Sequence, residues 1–305
     1  MVEILSLLGF GLVVGTYGTL VGIGGGPLIV PFIALLYQYE TPTIISVSLF
    51  VIFCNTLSGS IAYIKDKRVD LISGTKFGLA TIPGALLSTF GVYYIHLHLF
   101  TFIFGLLLII LAGYIFIKPV EPIYIAGRYH PNAKRGLRGS FTPKRTLIYP
   151  LLNKEPWDDT DENTLVETKH HKERIIKDVQ GNVYRYQINE SLGIVLTGLI
   201  GFFSTFLGIG GGLFQVPVMI YLLSFPVHVA TATSHYITAI NSCFTLIPFM
   251  VNGDIAYRPA ITLSIGVVIG AQIGARLSHK VSDKTLLNLL IPVFIFMGIK
   301  LILFS

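Results

Sequence analysis

Charged side chains are scarce in this chain of 305 residues. Asp, Glu, Lys and Arg make up only 12% of it and 52% is hydrophobic, whereas soluble domains carry about 25% charged residues. Residues 77–95 and 97–117 contain no charged side chain, and stretches of roughly 20 apolar residues match the hydrocarbon core of a bilayer. The composition excludes a soluble globular protein and predicts an integral membrane protein.

Cysteine and catalytic pairs are lacking as well. The two cysteines, Cys54 and Cys243, fall within apolar stretches and show neither disulfide nor metal-site spacing. They are interpreted as small packing residues, with a thiol that touches a solute as the alternative. No apolar stretch pairs a nucleophile with a base, and none carries a carboxylate at its centre. We therefore expect no enzyme activity, no metal and no cofactor.

The chain contains an internal repeat. A shift of 186 residues places Gly-Ile-Gly-Gly-Gly at 22–26 on the same five residues at 208–212, without a gap. The shift also aligns identical residues at Gly15 and Gly201, Thr19 and Thr205, Pro31 and Pro217, Ser48 and Ser234, Asn55 and Asn241, and Gly84 and Gly270. We predict two membrane repeats, at 1–117 and 190–305, separated by an insert at 118–189.

Each repeat contains about five apolar helical segments. They are 4–21, 27–38, 43–64, 74–95 and 97–117 in the first copy and 190–207, 213–224, 227–252, 259–278 and 285–304 in the second. The second segment of each copy, roughly 18 Å of helix, is too short to cross the bilayer and follows three glycines, which indicates a broken or re-entrant helix. The first two segments then return the chain to its starting side, and the three further spans, an odd number, make the second copy enter the bilayer from the opposite side. The predicted fold class is therefore an all-α integral membrane protein with two inverted-topology repeats.

The distribution of basic residues predicts the orientation. Residues 118–189 hold 13 of the 22 Lys and Arg side chains, and basic loops favour the cytoplasm. With this insert inside, the basic loops at 65–68 and 276–284 are also inside, while Lys300 is an exception. We expect a multi-pass protein of the cell membrane with both termini outside. No basic stripe with interleaved aromatic residues is present, so nucleic acid is excluded as a partner.

The insert shows one structured element. Residues 174–188 alternate between apolar and polar around Gln180-Gly181-Asn182, a pattern typical of a β-hairpin. We interpret the insert as a cytoplasmic connector that also docks on the helices, with a regulatory role as the alternative.

The two glycine motifs mark the first candidate site. Glycine permits a sharp break and the close approach of another group, and a helix that starts at the break presents free N–H groups that favour an anion. Two such breaks meeting near the midplane would form one central site. The candidate residues are Gly24, Gly25, Gly26, Gly210, Gly211 and Gly212. The alternative is that these glycines only permit tight helix crossing.

Polar residues on the third segment of each copy extend this site. Ser48 and Asn55 are seven residues apart and share a helix face, as do Ser234 and Asn241, with Thr238 between the latter two. Their hydroxyl and amide groups can bind an anion without carrying charge. Hydrogen bonding between helices is the alternative.

Two further candidates lie in the second copy. His235 stands where the first copy has Leu49, and an ionisable residue inside a span is a functional suspect; it could relay a proton or bind an anion, or be a neutral packing residue. Gln272 lies one turn before Arg276 and could face the pathway. Arg276 itself is interpreted as an interfacial anchor.

At these motifs the sequence resembles the TauE/SafE family of membrane permeases. The resemblance rests on the doubled glycine motif with Pro31 and Pro217 five residues on, and on the duplicated Ser/Asn spans. It covers both membrane repeats and leaves out the insert at 118–189. The resemblance implies secondary transport of small sulfur-containing anions, such as sulfite, sulfoacetate or other organosulfonates, with export coupled to the proton gradient.

The expected function is therefore that of an alternating-access carrier for such an anion. An anion channel, and an uptake permease or sensor regulated through the insert, are the alternatives. The expected partners are a small anionic solute and membrane lipid, and a homo-oligomer is compatible with the sequence.

Overall fold

Four long helices are described in the first repeat. The structure is a computed structural model that describes residues 2–37, 39–92 and 171–303, with short helical pieces between 105 and 117. The helices of the first repeat are α1 (Val2–Val21), α2 (Gly26–Leu36), α3 (Thr41–Lys65) and α4 (Leu71–Gly91). Most of the fifth predicted segment, 97–117, and the first part of the insert lie outside the described residues.

The second repeat follows a β-hairpin. The hairpin consists of β1 (His171–Lys177) and β2 (Val183–Asn189), paired antiparallel. The helices are α5 (Glu190–Phe206), α6 (Gly212–Pro217) with a π-helical turn at Val218–Leu222, α7 (Val227–Asn252), α8 (Tyr257–Ser278) and α9 (Asp283–Leu303). The hairpin predicted around residues 180–182 is thus confirmed, as are the short second segments of both copies.

The helices have the length and surface of a membrane protein. Among the described helices, Glu3–Val21, Thr41–Lys65 and Tyr257–Ser278 are long and apolar enough to cross a membrane. Large apolar side chains also stand on the outer faces, for example Phe90 and Val251, which are 66% and 80% exposed. A helical membrane fold is therefore confirmed, in agreement with the scarcity of charge.

Glycines allow the outer helices to pack closely. α1 packs along α8, and α4 packs along α5. A Cβ at Gly15 would lie 2.6 Å from Val267 Cα, and one at its counterpart Gly201 would lie 2.8 Å from Thr81 Cα. Both distances are too short for real atoms, so the backbones touch only because a side chain is absent.

α3 and α7 form the centre of the bundle. They pack against each other, α3 also packs against α8, and α7 also packs against α4. Leu49, Ile52 and Ile237 are completely buried there. The polar residues of these two helices are therefore held inside the protein and away from lipid.

The β-hairpin docks on the helices. Tyr186 Oη donates to Asp70 Oδ2 at 2.9 Å, and Asp70 Oδ1 accepts from the Ser73 N–H at the start of α4. The Tyr186 ring packs on Phe225, which precedes α7, at 4.9 Å. Burial and then Asp70 raise the pKa of Tyr186, so its hydroxyl remains a donor. Asn189 accepts from the Leu192 N–H and caps α5.

Several loops meet beside the hairpin, and we call this region the hairpin end. Asp66 and Arg68 follow α3, and the hairpin turn reaches them through the Val179 N–H, which donates to Asp66 O at 3.2 Å. The end of α8 joins them, because Arg68 Nη1 donates to Ser278 Oγ at 2.9 Å and His279 Nε2 lies 2.6 Å from Asp66 Oδ2. α3 and α8 therefore end on the same side as the hairpin.

A single methyl group at the α1–α8 contact tests this packing. Gly15→Ala should force the backbones of α1 and α8 apart and destabilise the protein by about 1–3 kcal/mol or more. Gly9→Ala is the matched control on α1, because a Cβ there meets nothing within 4 Å. Thermal unfolding in detergent measures both. Equal Tm values for the two variants would contradict the close contact.

Candidate functional site

The two glycine motifs break the chain and meet inside the protein. α1 ends at Val21 and α2 starts at Gly26, while α5 ends at Phe206 and α6 starts at Gly212. A Cβ at Gly26 would lie 2.7 Å from Ile209 Cα. A Cβ at Gly212 would lie 2.7 Å from Ile23 Cα. Each break therefore rests directly on the other, and we call 22–26 the first break and 208–212 the second break.

Left-handed backbone explains the glycines at both breaks. Gly24 has φ 74° and Gly210 has φ 67°, a region that other residues rarely adopt. The Ile23 N–H bonds to Gly18 O, and the Ile209 N–H bonds to Ser204 O, so the same turn closes both preceding helices. The repeated sequence thus produces a similar turn at the start of both breaks.

Two serines hold the breaks together across the repeats. Ser48 Oγ on α3 donates to Gly208 O in the second break at 2.7 Å. Ser234 Oγ on α7 donates to Gly22 O in the first break at 2.9 Å. Both serines are completely buried. Each repeat therefore satisfies a carbonyl in the other one, and the hydroxyls of both serines are engaged inside the protein.

The two asparagines have unequal surroundings. Asn55 accepts from Thr19 Oγ1 at 3.1 Å and donates to Gly24 O at 2.9 Å. Asn241 Nδ2 lies 3.5 Å from Thr205 Oγ1, at the limit of a hydrogen bond, and its Oδ1 is buried without a partner. Both ends of the Asn55 amide are therefore hydrogen-bonded, to Thr19 and to Gly24 of the first break. The Asn241 amide has one end without a partner.

Ile52 and Thr238 occupy equivalent positions between the two breaks. Side-chain carbons of both lie within 4 Å of the Cβ positions of Gly24 and of Gly210. Thr238 Oγ1 lies 3.5 Å from the Cβ position of Gly211 and is buried without a hydrogen-bond partner. These contacts close the space between the breaks, so a solute can enter it only when the breaks move apart.

His235 belongs to a hydrogen-bonded group that reaches the first break. Its Nε2 lies 3.2 Å from Thr19 Oγ1, and Thr19 Oγ1 in turn donates to Asn55 Oδ1. Because the Thr19 hydroxyl donates its one hydrogen to Asn55, it accepts a hydrogen bond from His235 Nε2. Tyr63 packs edge-on against the His235 ring at 5.8 Å and donates to Thr19 O.

Gln272 is placed away from the breaks. Its Nε2 donates to Ser58 O at 2.8 Å and contacts Ser58 Oγ at 2.9 Å, which joins α8 to α3. Arg276 is exposed in the last turn of α8. The structure therefore brings the candidate glycines together with Ser48, Asn55, Ser234, Thr238 and Asn241, links His235 to them through Thr19, and leaves Gln272 outside the group.

Sequence reasoning missed Gln215. This residue lies on α6, one turn after Gly211, whose carbonyl accepts its backbone N–H at 3.0 Å. Its side chain is completely buried, and both Oε1 and Nε2 are without a hydrogen-bond partner. The sequence does contain an indication of this residue, because the first repeat has the apolar Ile29 at the position that corresponds to Gln215.

A cavity elsewhere in the structure is apolar. It lies between α1, α2 and α9 and is lined by Val13, Tyr17, Leu28, Pro292, Val293 and Phe296. The Tyr17 hydroxyl is bound to Leu289 O. This cavity offers no free donor to an anion, so the polar group at the breaks remains the candidate site.

Buried polar groups without partners, set at helix breaks inside a helical membrane fold, are typical of a membrane transporter. The comparisons with known proteins agree. The family model described as "Sulfite exporter TauE/SafE" matches residues 7–301. The chain is 30% identical over 304 residues to the "Probable membrane transporter protein YunE" of Bacillus subtilis (strain 168). The match covers 97% of this chain and 96% of that relative.

The chain therefore belongs to the TauE/SafE family and is a membrane transporter. The family resemblance predicted from the glycine motifs is confirmed, and the family and relative are named as transporters, in agreement with the expected lack of enzyme activity. The match to the relative also runs through the insert at 118–189, which the sequence resemblance had left out. No solved structure matches the chain.

The serine contacts predict a reciprocal effect. Ser48→Ala and Ser234→Ala should each destabilise the protein by about 1–3 kcal/mol, because each leaves a buried carbonyl without its hydroxyl donor. Ser6→Ala is the control, because Ser6 is exposed and its hydroxyl binds within its own helix. Thermal unfolding measures all three. A large cost at only one of the two buried serines would contradict the equivalence of the breaks.

Proposed function

We propose that this protein is a secondary transporter of small sulfur-containing anions, such as sulfite, sulfoacetate or other organosulfonates. It exports them by alternating access, coupled to the proton gradient. The observation that carries the proposal is the contact between two helix breaks with unpartnered, buried polar groups beside them. The name of the matching family supports sulfite or a chemically similar solute.

The proposed architecture is a pair of inverted repeats. α4 begins at the hairpin end, at Asp70, whereas its counterpart α8 ends there, at Ser278. α3 ends there as well, whereas its counterpart α7 begins near Phe225, which packs on the hairpin. These positions support opposite directions for the corresponding helices. Repeats of this kind can exchange conformations and open a central site to either side.

The proposed orientation places the hairpin end in the cytoplasm of a cell-membrane protein. The basic loops at 65–68 and 276–284 meet there with the hairpin, which agrees with the preference of Lys and Arg for cytoplasmic loops. Both termini then lie outside. In this proposal the insert at 118–189 connects the repeats, and its last part, the hairpin, fastens the connector to α4 and α5.

Solute binding in this proposal uses neutral donors near the breaks. The hydroxyl of Thr238 and the amide of Asn241 are buried and have unused hydrogen-bonding capacity. An oxyanion can accept from such groups when the breaks part, and its binding replaces contacts with water that are lost on burial. The closed contact between Gly26 and Ile209 then re-forms behind the solute.

Proton coupling in this proposal is assigned to His235. Among the described residues of α3 and α7, it is the completely buried histidine, and imidazole is the side chain that proteins use most often to take up and release a proton. Its hydrogen bond to Thr19 connects it to Asn55 and the first break. A change in its charge therefore acts on a group that holds the break in place.

Transport by reconstituted protein tests the proposed function. Purified protein in liposomes should move radiolabelled sulfite or sulfoacetate at a rate that saturates with concentration, and Asn241→Ala should reduce this flux at least about tenfold, the loss expected for one buried hydrogen bond. Asn288→Ala, the same change at an exposed position on α9, should leave the flux unchanged. A passive current that does not saturate would indicate an anion channel and contradict the carrier.

The coupling step has its own test. His235→Gln keeps a donor for Thr19 but removes the titratable ring. We expect this variant to carry solute down its own gradient while losing the stimulation by an imposed pH gradient, measured in the same liposomes with and without a protonophore. Wild-type flux that ignores both the pH gradient and the protonophore would rule out proton coupling.

A further inference from the structure

Three completely buried side chains near the second break carry polar atoms without a partner. Gln215 has two such atoms, Oε1 and Nε2, Thr238 has its hydroxyl, and Asn241 has one end of its amide. Buried polar atoms are normally hydrogen-bonded, because leaving one unpaired costs free energy. A cluster of such atoms in one place therefore points to a ligand.

Backbone and helix positions place the three residues near the same part of the second break. Thr238 Oγ1 lies 3.5 Å from the Cβ position of Gly211, and the Gln215 N–H donates to Gly211 O at 3.0 Å. Asn241 follows Thr238 by three residues on α7 and so lies on the same helix face. α6 and α5 both pack on α7 here. The polar atoms thus come from two elements that meet at the second break.

The first break has no equivalent set. The counterparts of Gln215 and Thr238 are Ile29 and Ile52, which carry no polar side-chain atom. The counterpart of Asn241 is Asn55, whose amide binds Thr19 and Gly24 at both ends. The corresponding positions beside the first break therefore offer no unpartnered amide or hydroxyl, although the first break has the same glycines.

The backbone of the second break also departs from its copy. Gly25 has φ 83°, whereas the counterpart Gly211 has φ −62°. The Gly24 N–H bonds to Gly18 O at 3.2 Å, and the corresponding bond from Gly210 to Ser204 is missing among the described residues. The turn that is fully closed in the first repeat is left partly open in the second.

The orientation of the Asn241 amide can be inferred from the first repeat. Thr19 donates to the oxygen of Asn55, and the oxygen and nitrogen of an Asn side chain occupy interchangeable positions. If the Asn241 amide is turned over, it accepts from Thr205 in the same way. Its NH2 group then becomes the end without a protein partner, and the set offers donors from Asn241, Gln215 and Thr238.

The site carries no formal charge. The buried Lys, Arg, Asp and Glu residues in the described part of the chain are Arg68, Asp70, Asp178 and Glu190, and all of them belong to the hairpin end or to the start of α5. A dianion buried without a counter-charge loses much more hydration than a monoanion does. Neutral donors therefore favour a singly charged oxyanion, and the Gln215 oxygen accepts a hydrogen bond from the solute's own donor.

We propose that the solute site lies on one side, at the second break, and that Gln215, Thr238 and Asn241 bind a singly charged oxyanion that carries a hydrogen-bond donor of its own. Hydrogen sulfite and hydroxyl-bearing sulfonates have this chemistry, whereas sulfoacetate carries two charges at neutral pH, so the inference narrows the set of proposed solutes. The first break is a sealed structural copy against which the second one moves. This inference rests on the proposed function as an anion transporter.

Ligand-dependent thermal stability of the full chain in detergent tests the site. The probes are 2-hydroxyethanesulfonate, ethanesulfonate and sulfate at equal ionic strength. At low concentrations, where the general stabilising effect of excluded salts is small, we expect the hydroxylated sulfonate to raise the Tm of the wild type most, ethanesulfonate to raise it less, and sulfate to leave it unchanged, because a ligand that binds the folded state stabilises it. A rise with sulfate equal to that with the sulfonates would overturn the selection of monoanions.

Gln215→Met separates binding from structure, because methionine keeps the volume and removes both polar atoms. We expect the rise in Tm with 2-hydroxyethanesulfonate to be lost, while the Tm without ligand stays the same or increases. A residue with only a structural role would lower the ligand-free Tm instead. Ile29→Met, which introduces the same side chain at the corresponding position of the first repeat, should keep the full response to the ligand.

A second variant guards against misfolding. Thr238→Val is isosteric and should also lose the response, which keeps the site testable if Gln215→Met does not fold. A wild type that responds to the sulfonates, together with variants that respond equally, would overturn the one-sided site and leave anion transport intact. A wild type that responds to none of the three anions would overturn the proposed site, whereas the absence of saturable sulfite flux in liposomes would overturn the proposed function itself.

Discussion

The structure depends on satisfying broken helix backbone inside a membrane. Hydrocarbon offers no hydrogen bonds, so each carbonyl freed by a break must find a partner within the protein. Here the partner comes from the other repeat, since Ser48 binds Gly208 O and Ser234 binds Gly22 O. Neither repeat can complete its own break. The tight contact between Gly26 and Ile209, and the burial of α3 and α7, follow from this mutual requirement.

Residues that are identical in the two repeats hold the helices together, whereas positions at which the repeats differ supply the polar groups available to a solute. The glycines, serines and Thr/Asn pairs recur in both halves and mostly bind one another. Beside the breaks, the polar residues that replace apolar counterparts include His235 for Leu49, Gln215 for Ile29 and Thr238 for Ile52. The proposed carrier uses two similar halves to exchange conformations, but a small solute needs only one set of contacts. These three exchanges make the surroundings of the second break the more polar of the two.

The membrane class, the repeat, the short helices and the hairpin could all be predicted, because each depends on local pattern: apolar length, the spacing of glycines, and alternation around a turn. The roles of the polar residues could not. Ser48 and Asn55 share a helix face, as spacing required, but only the packing of α3 on both breaks shows that their groups are already used. Gln272 was predicted to face the pathway, but spacing cannot tell which neighbouring helix, here α3, takes its amide. Gln215 was overlooked because a single polar residue in a short apolar helix has no period.

The hairpin end has a consequence for the direction in which the molecule opens most easily. Arg68 and Asp178 lie 3.9 Å apart with 2% and 0% of their side chains exposed, and the same Arg68 reaches Ser278 of the second repeat. Separation of the repeats on this side would take from the buried guanidinium its partner Ser278. The opposite face has no buried ion pair among the described residues. In the proposed alternating-access cycle, these contacts favour opening on the side away from the hairpin, with the hairpin end as the hinge.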